Sequence, residues 1–127
     1  MHKIVSKEKL KARLQKLRQE GKTIVFTNGC FDILHVGHVR YLREAKKLGD
    51  VLVLALNSDA SVRAIKGEKR PLVPEDERAD IMAALECIDF VVIFPETTPR
   101  ELIEYLEPHI LVKGGDWRAE AIAGADF

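Results

Sequence analysis

The spacing of hydrophobic and polar residues alternates along the chain between helical and strand-like patterns. Leu10, Leu14 and Leu17 recur at helical spacing among lysines and arginines. Residues 51–56 are apolar at every position, which is typical of a strand covered on both faces. The pattern predicts four strands, over residues 23–28, 51–56, 89–94 and 109–113. It also predicts five helices: between Ser6 and Gly21, over 39–48, 58–65 and 75–87, and from a capping box at Thr98 and Glu101 to Pro108.

The order of these elements indicates the fold class. Strands alternate with helices between residues 23 and 113, which favours a parallel sheet, and 127 residues are the size of one domain. We therefore expect an α/β fold with a parallel sheet of four to five strands flanked by helices, and an extra N-terminal helix. Residues 1–22 form this basic amphipathic helix, and residues 23–127 form the α/β domain. Ligands of such sheets bind outside the carboxyl ends of the strands.

Charge and composition narrow the classes of function. The formal net charge is zero, so the chain has no overall nucleic-acid signature. Residues 1–22 carry eight lysines and arginines against two glutamates, which we interpret as a solvated helix face, with an anionic partner as the alternative. The longest apolar runs are too short to cross a membrane. Cys30 and Cys87 are read as reduced thiols, which predicts a cytoplasmic protein.

The most informative segment is 28–38, which begins at a predicted strand end and leads into a helix. His35 and His38 are three residues apart, so both imidazoles face the same side of the helix start, and Gly29 and Gly37 leave room for close approach. Three interpretations compete: packing or surface histidines, metal ligands, and a phosphate cradle at the helix N-terminus. No further His, Cys and carboxylate cluster in the sequence completes a zinc site. The strand-to-helix position favours phosphate.

The segment His35-Val36-Gly37-His38 resembles the HxGH signature of the nucleotidyltransferase superfamily. The wider set is similar to the D-glycero-β-D-manno-heptose 1-phosphate adenylyltransferases, and the glycerol-3-phosphate cytidylyltransferases share much of it. That set comprises Asn28–Gly37, Leu48-Gly49-Asp50, Asn57-Ser58-Asp59, Lys66-Gly67, Arg70-Pro71 and Val112-Lys113-Gly114-Gly115-Asp116.

This resemblance implies a Rossmann-like fold and a reaction. AMP passes from ATP, with Mg²⁺, to the sugar 1-phosphate, giving ADP-heptose for the lipopolysaccharide core and pyrophosphate. It also implies a homodimer and a separate sugar kinase upstream, with neither nucleic acid nor membrane as a partner. The alternatives are a cytidylyltransferase acting on glycerol 3-phosphate or a similar alcohol phosphate, a nucleotide-binding module without turnover, and a nucleic-acid-binding domain that uses the basic helix.

The resemblance also assigns roles to residues. The catalytic set is His35, His38 and Lys66. The nucleotide-binding set is Asn28, Gly29, Cys30, Phe31, Gly37, Arg70, Lys113, Gly114, Gly115, Asp116 and Trp117. The set on the sugar-phosphate side is Asp32, Asn57, Asp59 and Arg78. No residue is assigned as a resident metal ligand.

Several of these residues keep a structural alternative. Lys66 has the alternative of a surface lysine. Asp32 could coordinate the metal ion or hold its loop, and Asp59 could instead cap the helix that follows it. Arg78 follows three acidic residues and could pair with them on the surface. The family continues beyond the position of Phe127 with a strand and a helix that opens on a serine–threonine–threonine motif. We therefore expect a domain that lacks one wall of its phosphate site.

Overall fold

The computed structural model describes residues 2–113 and the backbone of residues 118–121. A five-stranded sheet has the order β3-β2-β1-β4-β5, with β1 to β4 parallel and β5 antiparallel to β4. The strands are β1 (Ile24–Gly29), β2 (Val51–Asn57), β3 (Phe90–Phe94), β4 (Ile110–Lys113) and β5 (Arg118–Ala121). The helices are α1 (Lys7–Gln19), α2 (Val36–Lys46), α3 (Asp59–Lys66), α4 (Glu75–Ala83) and α5 (Arg100–Leu106). The predicted parallel α/β sheet is confirmed.

Helices cover both faces of the sheet, which explains the continuous apolar run in β2. Side chains alternate across a strand, so Val51, Val53 and Ala55 pack with α1 and α5, while Leu52 and Leu54 pack with α2 and α4. All seven residues of β2 are buried. Within residues 2–113 and 118–121, no helix is long and apolar enough to cross a bilayer.

Helix α1 is more than a solvated basic face. Leu10 and Leu14 are fully buried in the core. Lys11 donates to the Tyr105 carbonyl at 3.0 Å, and Arg18 donates to the carbonyls of Leu106 and Glu107 at the end of α5. The interpretation of the basic residues as solvated is therefore wrong for Lys11 and Arg18, because these two side chains tie α1 to α5.

Several helix boundaries differ from the sequence prediction. Helix α2 begins at Val36 rather than residue 39, because histidine side chains cap its first turn. Helix α4 ends at Ala83 rather than residue 87, where successive turns carry the chain down to the buried Ile88. The predicted capping box at Thr98 is wrong: Pro99 precedes α5, and no side chain caps it.

Candidate active site

An open cavity of about 630 Å³ lies at the carboxyl end of β1, between the start of α2 and the segment that follows α3. Of the ten described residues that line it, eight were predicted from the sequence and two were not. The eight are Asn28, Gly29, Cys30, Phe31, Asp32, His38, Lys66 and Arg70. The two missed are Ile33 and Tyr41. The cavity therefore joins the phosphate-cradle segment to two cationic side chains from another part of the chain.

His35 and His38 cap the first turn of α2. The Gly37 backbone N–H donates to His35 Nδ1 at 3.0 Å, and the His35 backbone N–H donates to His38 Nδ1 at 3.2 Å. Their rings are stacked, with centroids 3.9 Å apart. Because each Nδ1 accepts a hydrogen bond, the neutral imidazoles carry their protons on Nε2. The pair thus keeps two N–H donors available at a helix N-terminus, where the dipole favours anions.

The electrostatic state of His38 follows from its surroundings. Partial burial lowers its pKa below the ordinary value, and the nearby His35 lowers it further. The Phe31 ring stands edge-on to His38, with centroids 5.2 Å apart. His38 therefore meets a ligand in its neutral form near pH 7, as a hydrogen-bond donor through Nε2.

Two glycines in this segment make room for neighbouring rings. A Cβ on Gly29 would lie 2.6 Å from the Phe31 ring, and a Cβ on Gly37 would lie 2.7 Å from the His35 ring. Phe31 has a φ of 45°, in the left-handed region that few residues other than glycine adopt. From the sequence, we expected these two glycines to leave room for a ligand. In the structure, the rings of Phe31 and His35 lie where a Cβ at either glycine would go.

Asp32 fastens the segment after α3 to the cavity. Its carboxylate accepts from the backbone N–H groups of Leu72 and Val73 at 2.8–2.9 Å, and from the Arg70 guanidinium at 3.2 Å. Burial acts to raise the pKa of Asp32, but these hydrogen bonds and the Arg70 charge outweigh it and hold the pKa below its usual value. Asp32 could coordinate the metal ion or hold its loop, and the geometry favours the second role.

Arg78 lies beneath the cavity and does not line it. Its side chain is fully buried and donates to the Val73, Cys30 and Asn57 carbonyls, each at 2.8 Å. It also pairs with Asp59 at 2.7 Å. The surface-pairing interpretation of Arg78 is wrong, since α4 turns this side chain inward and away from its acidic neighbours.

Two further residues assigned to the sugar-phosphate side also make internal contacts. Asn57 is 3% exposed, and its amide donates to the Ser61 hydroxyl at 2.9 Å. The cap of α3 is Ser58, whose hydroxyl accepts from the Ser61 N–H, so the helix-cap alternative for Asp59 is wrong. Neither Asn57 nor Asp59 lines the cavity.

Comparison with known proteins identifies the family of this chain. A family model described as cytidylyltransferase-like matches residues 26–125, which include the cavity and both histidines. The chain belongs to the cytidylyltransferase-like family. The predicted membership of the HxGH nucleotidyltransferase superfamily is confirmed, and the chain is a nucleotidyltransferase domain.

The relatives of this cytidylyltransferase-like domain are considerably longer proteins. The bifunctional protein HldE of Syntrophotalea carbinolica is 61% identical over 125 residues, which are 98% of this chain and 26% of that protein. HldE of Geobacter metallireducens is 68% identical over 109 residues, which are 86% of this chain and 22% of that protein. The chain therefore spans about a quarter of the length of the curated relatives it matches.

A solved structure supports the same assignment. The lipopolysaccharide core biosynthesis protein of Thermoplasma volcanium has a TM-score of 0.67 and 34% sequence identity to this chain. The match covers 72% of this chain and 74% of that one. The Rossmann-like fold predicted for this cytidylyltransferase-like domain is therefore confirmed.

Tyr41 is the clearest cavity residue that sequence reasoning missed. It follows His38 by three residues on α2, so helical spacing from the histidine could have identified it. Its hydroxyl bonds to the Thr27 hydroxyl, which donates to the Val112 carbonyl at 2.9 Å, and burial raises the pKa of Tyr41. Ile33, the second missed residue, offers no signal beyond its place in the motif.

The remaining assignments are placed as follows. His35 adjoins the cavity through His38, Lys66 and Arg70 are exposed at its rim, and Lys113 is exposed at the end of β4. The assigned residues Gly114, Gly115, Asp116 and Trp117 lie outside the described residues. Among residues 2–113, no group of three or more His, Cys, Asp or Glu side chains lies close enough to hold a metal ion.

Proposed function

We propose that this cytidylyltransferase-like domain transfers AMP from ATP to D-glycero-β-D-manno-heptose 1-phosphate. The sugar phosphate oxygen forms a bond to the α-phosphorus, the bond from that phosphorus to the bridging oxygen breaks, and pyrophosphate leaves. The attacking oxygen is already anionic, so no general base has to remove a proton. Catalysis then consists of positioning the reactants and neutralising phosphate charge.

One observation carries this proposal: the cavity has His38 at a helix N-terminus on one side and Lys66 and Arg70 on another. The Nε2 donors of His35 and His38 suit phosphate oxygens on which charge builds in the transition state. The two cationic side chains suit the second phosphate group. The similarity to proteins named HldE and to a lipopolysaccharide core biosynthesis protein supports heptose as the acceptor.

The cavity offers little for a protein-held magnesium ion. Among the described residues that line it, Asp32 is the only carboxylate, and both oxygens of that carboxylate already accept hydrogen bonds from the 70–73 segment. Magnesium commonly binds through substrate phosphates with only one or two carboxylates. We therefore propose that Mg²⁺ enters as the ATP complex, held by the triphosphate, and we assign it no ligand on the described residues.

The remaining partner predictions continue as proposals. The relatives are named bifunctional, so a sugar kinase on the same polypeptide becomes the alternative to the separate kinase predicted from the sequence. The homodimer, the cytoplasmic location and the division at residue 22 stay predictions. The nucleic-acid alternative weakens, because Lys11 and Arg18 are held against α5.

The family description, cytidylyltransferase-like, favours a second candidate function, which is cytidylyl transfer to glycerol 3-phosphate. Both are tested by measuring pyrophosphate release with Mg²⁺ from ATP or CTP, each combined with heptose 1-phosphate or glycerol 3-phosphate. We expect release only from ATP with heptose 1-phosphate. Release from CTP with glycerol 3-phosphate would establish the second candidate. If all four mixtures stay silent while ATP binds, the chain is a nucleotide-binding module and the proposed transfer is overturned for it.

A further inference from the structure

Arg78 is the largest side chain that the fold buries completely among the described residues. Its guanidinium makes four hydrogen bonds of 2.7–2.8 Å, and none of the recipients belongs to its own helix. Nε donates to the Val73 carbonyl, Nη1 to the Cys30 and Asn57 carbonyls, and Nη2 to the Asp59 carboxylate. Burying a charge is costly, and this degree of pairing offsets that cost.

The partners of Arg78 belong to four segments around the cavity. Cys30 follows β1 and Asn57 ends β2, and these two strands are paired up to Gly29 and Leu56. Both carbonyls therefore lie where the β1–β2 ladder ends, and Arg78 supplies the donor that a buried carbonyl requires. Val73 ends the loop 67–73, and Asp59 begins α3. One guanidinium thus fixes four segments relative to one another.

The two sides of the cavity depend on these four segments. The Cys30 segment leads through Asp32 to His35 and His38, the proposed donors to the reacting phosphate. The segment from Asp59 to Val73 carries Lys66 and Arg70, the cationic side chains of the opposite rim. Asp32 joins the two segments from above through Leu72 and Val73, and Arg78 joins them from below.

From this arrangement we propose that Arg78 is a positioning residue for nucleotidyl transfer, which sets the distance between the histidine pair and the Lys66–Arg70 rim. It acts through Cys30, Asn57, Asp59 and Val73 and does not touch substrate, in contrast to the substrate-binding role that the sequence resemblance implied. This inference rests on the proposed function, since the distance it sets matters for the reaction assigned to the cavity.

The chemistry of the four bonds explains why an arginine is needed. The guanidinium is planar and presents N–H donors in several fixed directions. A lysine side chain is shorter and has a single nitrogen, so it cannot donate to all four recipients. Arg78→Lys keeps the charge near Asp59 but leaves strand-end carbonyls without donors. The same end of α4 adds a second tie, because the Glu75 carboxylate accepts from the Asp59 N–H at 2.9 Å.

The test compares Arg78→Lys with Lys46→Met in the full chain. Lys46 pairs with Asp89 at 2.6 Å, and neither residue lines the cavity, so this pair is a structural control away from the site. With ATP and heptose 1-phosphate, we expect Arg78→Lys to lower kcat about 100-fold, the order of effect of a misplacement of about 1 Å. KM should stay within about threefold, because every group that contacts substrate remains. Lys46→Met should keep the wild-type kcat.

Trypsin cleavage after Lys66 and Lys69 gives a second readout that needs no turnover. Lys66 is the last residue of α3 and Lys69 lies in the loop 67–73, which Arg78 holds through Val73, and both lysines are exposed. We expect faster cleavage at these two sites in Arg78→Lys than in the wild type, followed by mass spectrometry at a temperature where both stay folded. Lys46→Met should be cleaved there at the wild-type rate. Asp59→Ala, which removes one recipient only, serves if Arg78→Lys does not fold, and should show both effects more weakly.

The outcomes separate this inference from the proposed function. Wild-type kcat and unchanged cleavage in Arg78→Lys, or in Asp59→Ala where that variant is used, would overturn the positioning role. So would losses of kcat in Arg78→Lys and Lys46→Met that simply follow their losses of thermal stability. If the wild-type chain releases no pyrophosphate from any mixture, the proposed function fails instead, and the cleavage rates still decide whether Arg78 holds the loop.

Discussion

At both ends of the parallel sheet, backbone groups lack partners within the sheet and side chains supply them. The side chains are acceptors at the amino ends and donors at the carboxyl ends. At the amino ends, strand N–H groups lack partners, and side-chain acceptors supply them. Asp50 accepts from Thr23, His109 from Ile24, and Asp89 from Leu52, at 2.7–2.8 Å. At the carboxyl ends, carbonyls lack partners, and the Arg78 guanidinium supplies donors to two of them.

The difference lies in how many segments one side chain serves. Each acceptor at the amino end satisfies one strand, whereas Arg78 serves two strands, a helix start and a loop. Because a helix residue reaches under the carboxyl ends, the side chains of Asn28 and Cys30 stay available to line the cavity. The carboxyl end of the sheet, where the cavity lies, is thus fixed by one buried side chain of α4. The amino end is fixed by side chains that lie at that end itself.

Histidines show the same contrast. His109 accepts a strand N–H through Nδ1 at the amino end, while His35 and His38 accept helix N–H groups through Nδ1 at the carboxyl end. The local chemistry is identical in all three. Only the last two lie beside the cavity, so His109 acts as a structural acceptor at the amino end of β1.

The largest expected effect on activity comes from truncating one histidine at each end. His38→Ala should lower kcat about 100-fold, the usual scale for losing one preorganised donor to developing charge. His109→Ala should keep the wild-type kcat per folded molecule and lower the free energy of unfolding by about 1 kcal/mol, because the Ile24 N–H loses its acceptor. Pyrophosphate release and urea denaturation measure the two quantities. Normal turnover in His38→Ala would contradict the assignment of His38 as a donor to the reacting phosphate.

A smaller effect is expected from adding one methyl group at each end. A Cβ on Gly37 meets the His35 ring, which can move, whereas a Cβ on Gly49 would lie 2.8 Å from the Thr23 carbonyl oxygen, which is fixed in the fold. Gly37→Ala should therefore lower kcat about tenfold by displacing an imidazole, with little loss of stability. Gly49→Ala should cost about 1–3 kcal/mol of stability and leave kcat per folded molecule unchanged. The reverse pattern would contradict the contrast between the two ends.

The fold was predictable because its signals are local. The continuous apolar run of β2 requires cover on both faces, and strands alternating with helices require parallel pairing, so the sheet followed from pattern alone. Six of the eight predicted cavity residues belong to the segment 28–38 at one strand end, whereas Lys66 and Arg70 were predicted only through the family resemblance. The antiparallel pairing of β5 was not specified, because only contact with β4 fixes its direction.

What the sequence hides is the direction of side chains whose partners are distant in the chain. Arg78 follows three acidic residues, which locally indicates a surface ion pair, yet its partners include Cys30, 48 residues away. Gly29 and Gly37 were correctly selected as positions that need space, but the occupants of that space are rings of the same segment. Tertiary contacts decide these points, and they carry no signature in spacing.

The smallest expected effect is on pH dependence, and it distinguishes the causes that act on His38. Its pKa lies below 6.5 in the folded chain because of burial first and the nearby His35 second. As the pH falls below 6.5, the unfolded chain therefore takes up this proton before the folded chain does. The free energy of unfolding should be undiminished above pH 6.5 and decrease as the pH falls from there to the folded pKa.

His35→Ala removes the second cause and keeps the backbone N–H that donates to His38 Nδ1. The NMR titration midpoint of the His38 imidazole should then rise towards 6.5 without reaching it, because burial still acts on the ring. His109→Ala, at the other end of the sheet, should leave that midpoint in place. If His35→Ala did not move it either, the stacked rings would share no electrostatic coupling, and burial alone would set the protonation of the donor beside the cavity.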